Sequence, residues 1–157
     1  MLITDVYEYS PDTGEFKYKI KYSKFNRGDV AGSKHNRGYR LIRFRGKAIL
    51  AHHAAWFFAY GYWPVEIDHR DNDKTNNAIS NLRLCSRSQN QCNMPIRSNN
   101  TSGFKGVSWS KQKNKWRAKC ILNGVEYNGG FFDDIESANN AVIDIRRKLH
   151  GEWANNG

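Results

Sequence analysis

The sequence lacks a long apolar run, a paired-cysteine motif and an internal repeat. Its longest apolar run, Ala54 to Tyr60, is too short to cross a bilayer, and we expect it to form a buried helix. The N-terminus lacks the basic and then apolar pattern of an export signal, so we expect a protein of a reducing compartment. Cys85, Cys92 and Cys120 form no CxxC pair, which argues against a zinc knuckle and predicts free thiols.

Acidic residues are scarce in two stretches of a chain whose formal net charge is +10. Residues 17–47 hold eleven Lys or Arg and one acid, Asp29, while residues 105–119 hold six basic residues and no acid. The segment 67–73 between them carries three aspartates. Two basic surfaces around an acidic segment predict a polyanion held at both ends with a metal between them. A solvated surface that only confers solubility is the alternative, but aromatic residues interleave with both basic stretches.

The first half of the chain is expected to form short strands, turns and one buried helix. Asp12-Thr13-Gly14 and Arg45-Gly46-Lys47 are turn signals, and helix 51–60 should end at Gly61. Ser86 to Gln89 matches a capping box, so another helix should begin there. The expected strands are residues 6–9, 16–20, 39–44, 48–50, 65–67 and 81–84.

A polar linker then separates a second pattern from the first. Strands are expected at residues 106–109, 115–121 and 125–128, with Asn123-Gly124 as a two-residue hairpin turn. Apolar residues recur at helical spacing from Ile135 to Leu149. The sequence therefore predicts an α+β protein with domains 1–94 and 103–157 joined by linker 95–102.

Three residues carry the chemistry that the pattern suggests: Asp68, His69 and Asn90. Hydrolysis of a phosphodiester needs a base of near-neutral pKa to activate water and a cation to hold charge on the leaving oxygen. Histidine is the natural base, and carboxylate and amide oxygens suit magnesium. A strand, loop, strand and helix could bring these side chains together.

These residues form part of a longer pattern. The segments Val65 to His69, Asn76-Asn77, Asn81-Leu82-Arg83 and Ser88 to Asn93 resemble the HNH endonuclease signature in its H-N-N form. The upstream segments 38–40, 51–56 and 61–64 resemble the N-terminal half of phage homing endonucleases of that family. The resemblance covers about residues 5 to 93 and implies a ββα-metal nuclease domain with extra β-hairpins.

The resemblance also implies roles for individual residues. Asp68 would be a metal ligand, and His69 the general base. Asn81 would be the middle asparagine, which braces the loop that orients His69. Asn90 would be the second metal ligand, with Asn93 as a possible additional one. The implied cofactor is one Mg²⁺ or Mn²⁺ per active site and no zinc.

Other interpretations of the same segment remain open. Asn76 and Asn77 could be turn residues only. His52 and His53 are expected to pack or to bond the backbone, because the family has an arginine where His53 stands. The segment 71–73 lacks the glycine and glutamate of a calcium loop. Adjacent strand residues point to opposite faces, so Asp68 and His69 can share a site only if the strand ends or twists there.

Residues 103–154 resemble the AP2 DNA-binding domain, in which a three-stranded sheet lies in the major groove and a helix supports it. Ser108 and Ser110 stand where plant AP2 domains often carry arginines, so the base specificity of those domains does not transfer. Strand alternation and charge give the expected DNA-facing residues, Lys105, Ser108, Ser110, Lys115, Arg117, Lys119, Glu126 and Asn128, and Arg40 and Arg43 are added from the first domain.

The sequence thus predicts a metal-dependent DNA endonuclease, site-specific or nicking and of homing type. The alternative is a DNA-binding regulator with an inactive HNH fold. The expected partner is double-stranded DNA, with no membrane, and a monomer is expected because one metal site joined to one different reading module suits an asymmetric site. The expected location is the cytoplasm of a bacterial host, if the protein is phage-encoded.

Overall fold

Short antiparallel strands and a few helices make up the fold in the computed structural model, which describes residues 1–156 and, at Cys92, His150 and Glu152, the backbone only. The mixed α+β class is as predicted. Contacts divide the chain into two units, Met1–Cys85 and the part that begins at Ser86. The domain boundaries expected from sequence, with the first domain reaching residue 94, stay predictions.

The first unit begins with a helical turn and a hairpin. Helix α1 (Ile3–Val6) precedes strands β1 (Tyr7–Tyr9) and β2 (Phe16–Tyr18), which pair in antiparallel register. The hairpin predicted around Gly14 is therefore confirmed, with shorter strands. Helix α1 replaces the predicted start of the first strand, because four residues are too few to show a helical period in sequence.

A second small sheet follows. Strand β3 (Val30–Ala31) completes the first sheet, and β4 (Ser33–Lys34), β5 (Arg40–Phe44) and β6 (Lys47–Leu50) form the next. Strands β3 and β4 are two residues each and carry no alternation that a sequence could show. The turn between β5 and β6 is Arg45-Gly46, both with positive φ (50° and 76°), as a tight hairpin requires.

The buried helix is α2 (Ala51–Tyr60), and it ends as predicted at Gly61, whose φ is 80°. Three of its alanines (Ala51, Ala54 and Ala55) and Trp56 belong to the same buried core cluster as Tyr7, Phe16 and Ile42. Strands β7 (Ile67–His69) and β8 (Leu82–Leu84) then form a two-stranded hairpin, with a 3₁₀ turn (Ile79–Asn81) just before β8. Val65 lies outside β7 and is 98% exposed, so the strand predicted at 65–67 begins later and runs through His69.

The second unit opens with α3 (Arg87–Asn93), whose capping box is confirmed. The Ser86 hydroxyl accepts from the Gln89 N–H at 3.2 Å, and the Gln89 side chain accepts from the Ser86 N–H at 2.8 Å. Strands β9 (Val107–Ser110), β10 (Lys115–Leu122) and β11 (Val125–Phe132) form a sheet with β10 in the centre, followed by α4 (Ile135–His150).

The predicted assembly of three strands backed by one helix is confirmed. Val107 and Ala118 pack against Ala138 and Val142 of α4 in a core of their own. The sheet and helix approach closely at Gly129, where an added Cβ would lie 2.7 Å from Ile145 Cδ1. The likeness of this unit to an AP2 domain stays a prediction. No helix within residues 1–156 has the length and apolarity that a membrane span needs.

Candidate functional site

The β7–β8 hairpin carries Asp68 and His69 on adjacent positions of one strand. Asp68 lies opposite Arg83 and His69 lies opposite Leu82. Both residues are buried, each 5% exposed. The strand continues through His69, so the two side chains meet different partners, in line with the alternation of a strand. Whether both serve one reaction stays a prediction.

Asp68 is engaged by an arginine of the neighbouring strand. Arg83 Nε and Nη2 both lie 2.9 Å from Oδ2 of Asp68, and both side chains are almost fully buried. A buried carboxylate needs such a partner, because an isolated charge in the interior is strongly unfavourable. The pair holds the carboxylate at a fixed position.

His69 lies in a pocket of aromatic and amide groups. Its Nε2 is 3.1 Å from Oδ1 of Asn77. The ring centroid of His52 is 4.9 Å away in an edge-to-face arrangement, and that of Tyr39 is 6.1 Å away. Burial raises the pKa of Tyr39, and the negative charge of Asp68 raises it further. The Tyr39 ring therefore lies beside His69, and the charge of Asp68 acts on the Tyr39 hydroxyl.

Asn81 ties down the loop that joins the two strands. Its Nδ2 donates to Asp71 Oδ1 and to the Asn76 carbonyl, each at 2.9 Å, and its Oδ1 accepts from the Asp71 N–H at 3.2 Å. The Asn81 carbonyl accepts from the Arg70 N–H at 2.9 Å, next to His69. These contacts are those that a bracing asparagine would make, and the predicted role of Asn81 in catalysis stays a prediction.

Asp71 is the acidic centre of this loop. Partial burial raises its pKa, but hydrogen bonds from Asn76 and Asn81 outweigh that effect, so the net pKa is lowered. The Asn76 side chain donates to Asp71 Oδ2 at 2.7 Å. Asp71 therefore organises the loop as a hydrogen-bond acceptor, and no calcium loop is needed to explain the aspartates of this segment.

His52 packs beside His69, as expected for a residue of the buried helix. It is 4% exposed, and burial lowers its pKa to about 3, with smaller contributions from His69 and His53. Its Nδ1 is buried without a hydrogen-bond partner among the described residues. His52 is thus a neutral imidazole that forms one wall around the ring of His69.

The remaining predicted ligands lie on α3, in the second unit. Asn90 is half-buried, and its proposed pairing with Asp68 stays a prediction from sequence. Asn93 is 5% exposed, and its carbonyl accepts from Nδ2 of Asn155 at 2.7 Å. The Cys92 side chain lies outside the described atoms, whereas Cys85 and Cys120 are thiols outside any disulfide, as predicted.

The carboxylate of Asp68 is an oxygen donor of the kind that hard divalent cations accept. Among the described residues, no three His, Cys, Asp or Glu side chains group together as a metal site. A cation would therefore depend on Asp68 together with amide, water or phosphate oxygens, which are the ligands that Mg²⁺ accepts. Both Arg83 contacts fall on the same carboxylate oxygen of Asp68, Oδ2.

The outer face of the second sheet carries a shared ion pair. Arg117 bonds one oxygen of Glu126, and Lys119 lies 2.8 Å from the other. These contacts lower the pKa of Glu126, the hydrogen bond from Lys119 most of all. Both cations named from sequence are therefore partly neutralised by a carboxylate on the same face.

Other residues expected to face DNA have structural partners too. Lys105 Nζ donates to the Met94 carbonyl at 2.6 Å and to the Asn155 carbonyl at 3.2 Å. Lys115 pairs with Asp133 at 2.9 Å. The remaining expected residues are exposed or half-buried on their strands: Ser108, Ser110, Asn128, Arg40 and Arg43. Their contact with DNA stays a prediction.

Sequence reasoning missed three contributors to these sites. Asn77 was considered a turn residue, yet it contacts His69. Arg83 entered the sequence analysis only as part of a motif, yet it forms the ion pair with Asp68. Glu126 was expected to face DNA, and its ion pairs with Arg117 and Lys119 were not foreseen. Strand pairing supplies the signal for Arg83, which follows from registering 67–69 against 82–84. Nothing in the sequence alone shows that Asn77 lies against His69.

Comparison with known proteins points to one family. The HNH endonuclease family model matches residues 50–92, from the end of β6 into α3. "Protein 3.8" of Escherichia phage T7 is 38% identical over 110 residues, which are 69% of this chain and 90% of that protein. An "Uncharacterized HNH endonuclease" of Acanthamoeba polyphaga mimivirus is 31% identical over 90 residues, 57% of this chain and 46% of that protein.

No solved structure matches the chain. HNH nucleases generally use a divalent metal. The sequence match to the phage T7 protein covers most of both chains, and the HNH match includes the whole β7–β8 hairpin. The chain therefore belongs to the family of phage T7 protein 3.8, and it carries an HNH endonuclease domain.

Proposed function

We propose that this protein is a metal-dependent DNA endonuclease in which His69 is the general base. The observation that carries the proposal is the β7–β8 hairpin, where Asp68 and His69 stand side by side and Asn81 braces the connecting loop. This hairpin lies inside the segment that matches the HNH family. The substrate class is double-stranded DNA, which suits a chain of net charge +10.

The residues divide the work in the following way. His69 accepts a proton from the attacking water as the water approaches the phosphorus. Asp68, held by Arg83, is a ligand for the cation, and Asn90 is the second ligand. A bound divalent cation, Mg²⁺ or Mn²⁺, would stabilise negative charge on the phosphate and the leaving oxygen. Asn81 keeps the loop after His69 in place through Asp71.

The second sheet supports DNA binding in this proposal. Arg117 and Lys119 project from its outer face, on the side away from the core formed with α4. Both cations are held in ion pairs with Glu126, so contact of the Arg117 guanidinium with guanine would replace its contact with Glu126. We also propose that the enzyme is of homing type, which means that it cuts at a particular DNA sequence.

A second candidate is favoured by one specific observation. His69 is only 5% exposed, and Asp68 forms a buried ion pair with Arg83. A protein that kept the HNH fold for DNA binding alone could have such a closed site. This candidate is a DNA-binding regulator without nuclease activity, and it predicts binding to duplex DNA with no strand scission.

The experiment incubates the protein with supercoiled plasmid DNA and Mg²⁺ or Mn²⁺, beside a sample with EDTA. We expect nicked or linear product with metal and none with EDTA. His69→Ala should lower the rate by about a hundredfold or more, the typical contribution of a general base. His35→Ala, which removes an imidazole elsewhere in the same unit, is the matched control and should cleave normally.

Two results would contradict the proposed mechanism. Cleavage that survives in His69→Ala at the wild-type rate removes His69 as the base, and cleavage that ignores EDTA removes the metal. Absence of scission with retained DNA binding, in wild type and variants alike, supports the regulator instead.

A further inference from the structure

A neutral imidazole carries a proton on one ring nitrogen and a lone pair on the other, so only one nitrogen can act as a base. Which nitrogen is the base depends on the hydrogen bond made by the other one. In this protein Nε2 of His69 lies 3.1 Å from the amide oxygen of Asn77. The identity of the basic nitrogen therefore depends on how the Asn77 amide is oriented.

The Asn77 amide is held by its own hydrogen bond. Its Nδ2 donates to the Thr75 carbonyl at 3.3 Å, which directs Oδ1 towards His69. An amide oxygen accepts hydrogen bonds and cannot donate them, so the shared proton belongs to Nε2 of the imidazole. Asn77 is 1% exposed, which keeps water from competing for this bond.

The N-terminal hairpin fixes the backbone of Asn77. The Tyr9 hydroxyl donates to the Asn77 carbonyl at 2.7 Å, and the Ile79 N–H donates to the Pro11 carbonyl at 2.8 Å. Gly14 of the β1–β2 turn lies so close that an added Cβ would be 2.4 Å from the carbonyl carbon of Asn77. The asparagine is therefore clamped between its own loop and the hairpin.

We propose that Asn77 is a positioning residue that fixes His69 in the tautomer with the proton on Nε2, leaving Nδ1 as the basic nitrogen. Asn77 does not touch the substrate and acts only through His69. The catalytic consequence rests on the proposed nuclease function, but the tautomer itself does not. The N-terminal hairpin takes part as well, because it holds Asn77, which determines the tautomer of His69.

The test measures the tautomer directly. Long-range ¹H–¹⁵N NMR spectra of the imidazoles are recorded on the full chain without metal or DNA, at a pH of about 8, where histidine is ordinarily neutral. The His69 signals are assigned by their absence in His69→Ala. We expect the pattern of a proton on Nε2 in the wild type. A proton on Nδ1 in the wild type overturns the inference without any variant being needed.

Two variants test the cause. Asn77→Leu keeps the approximate size of the side chain but removes the acceptor, and we expect a mixture of the two tautomers of His69. Asn77→Asp keeps an acceptor oxygen and should keep the proton on Nε2. If Asn77→Leu folds and leaves the tautomer unchanged, Asn77 does not set it.

Cleavage provides the second readout. Asn77→Leu should lower kcat by at least about tenfold with little change in KM. Equal kcat in the wild type and a folded Asn77→Leu overturns the positioning role. If the wild type shows the expected tautomer but does not cut DNA, the inference about Asn77 stands and the proposed nuclease function fails.

Discussion

At the scale of single residues, the site depends on polar groups that are buried yet satisfied. Asp68 is matched by Arg83, and His69 by Asn77, within a hairpin of two three-residue strands. Buried polar groups of this kind are favourable only when their partners are present, because each lost bond leaves an unsolvated group. The same residues that would perform the chemistry are therefore sensitive points of the fold.

His52 predicts how stability depends on pH. Burial holds its folded pKa near 3, below the ordinary value of 6.5, so the unfolded chain binds a proton that the folded chain does not. The free energy of unfolding should fall as pH falls from 6.5 towards 3, and this contribution is fully present above 6.5. This loss in the free energy of unfolding should reach a few kcal/mol, because each pKa unit between the folded and unfolded states contributes about 1.4 kcal/mol.

Urea unfolding at several pH values checks this prediction. His52→Gln should flatten the dependence between pH 6.5 and about 4, whatever its effect on stability at neutral pH. His35→Gln removes another imidazole from the same unit and is the control for the substitution itself. An unchanged slope in His52→Gln would show that His52 is not the residue responsible.

At the scale of elements, the first hairpin and the β7–β8 loop are fitted to each other at Gly14. Its φ is +74°, and an added Cβ would lie 2.4 Å from backbone atoms of Asn77 and Ala78. Gly46, in the β5–β6 turn, has nearly the same φ, +76°, with nothing within 4 Å. An alanine at Gly46 would therefore meet backbone strain alone, whereas an alanine at Gly14 would meet the same strain and a steric clash.

Alanine at each position should destabilise by different amounts. Gly46→Ala should lower the free energy of unfolding by about 1–2 kcal/mol, the strain of a left-handed residue with a Cβ. Gly14→Ala should lower it by the same amount plus about 2 kcal/mol or more from the clash. It should also reduce cleavage, because the clash falls on the backbone of Asn77. Equal losses of stability in the two variants would contradict the close packing of hairpin and loop.

The second sheet makes a prediction about charge. Glu126 occupies both Arg117 and Lys119, so its removal should free two cations for phosphate contact. Glu126→Gln should bind nonspecific duplex DNA more tightly, and the slope of log affinity against log salt should steepen by about 0.9 for each new contact. Titrations at several salt concentrations, with His69→Ala as background to prevent cleavage, provide the measurement.

Glu136→Gln is the matched control for this experiment. It removes the same charge from the first turn of α4, away from the Arg117–Glu126–Lys119 group. An identical gain in affinity from both variants would mean that only net charge matters. No gain from Glu126→Gln would mean that this face of the sheet does not meet DNA.

At the scale of the whole molecule, charge and architecture point to a polyanionic substrate. The net charge is +10, and the chain has two units, each with its own hydrophobic core. Charge of this size attracts DNA at long range, and salt screens that attraction. Binding to nonspecific duplex DNA should therefore be strongly salt-dependent.

Affinity should fall by at least about a hundredfold between 50 and 200 mM salt, as expected when several phosphates are neutralised. Fluorescence anisotropy of a labelled duplex with His69→Ala measures it. A binding constant that barely changes with salt would indicate that the basic stretches are a solubility feature, and the DNA-binding part of the proposal would fail.

The sequence by itself determined the local elements with strong period and clear turn chemistry. Helix α2 and its terminal Gly61, the capping box at Ser86 and the Asn123-Gly124 hairpin all follow from nearest-neighbour physics, and all are observed. Membership of the HNH family could also be predicted from the sequence, because the spacing of the motif residues is read directly from the chain. Helix α1 and strands β3 and β4 escaped prediction because two to four residues carry no period.

Only the tertiary structure decided which partners the site residues have. Asn77 lies eight residues after His69, and Tyr9 reaches Asn77 across 68 residues of chain. Glu126 meets Arg117 and Lys119 because the hairpin register brings β10 and β11 together. Such contacts are set by the path of a loop, by hairpin register and by the packing of distant segments, which residue types and spacing do not encode individually. They decide how each imidazole, carboxylate and guanidinium is oriented.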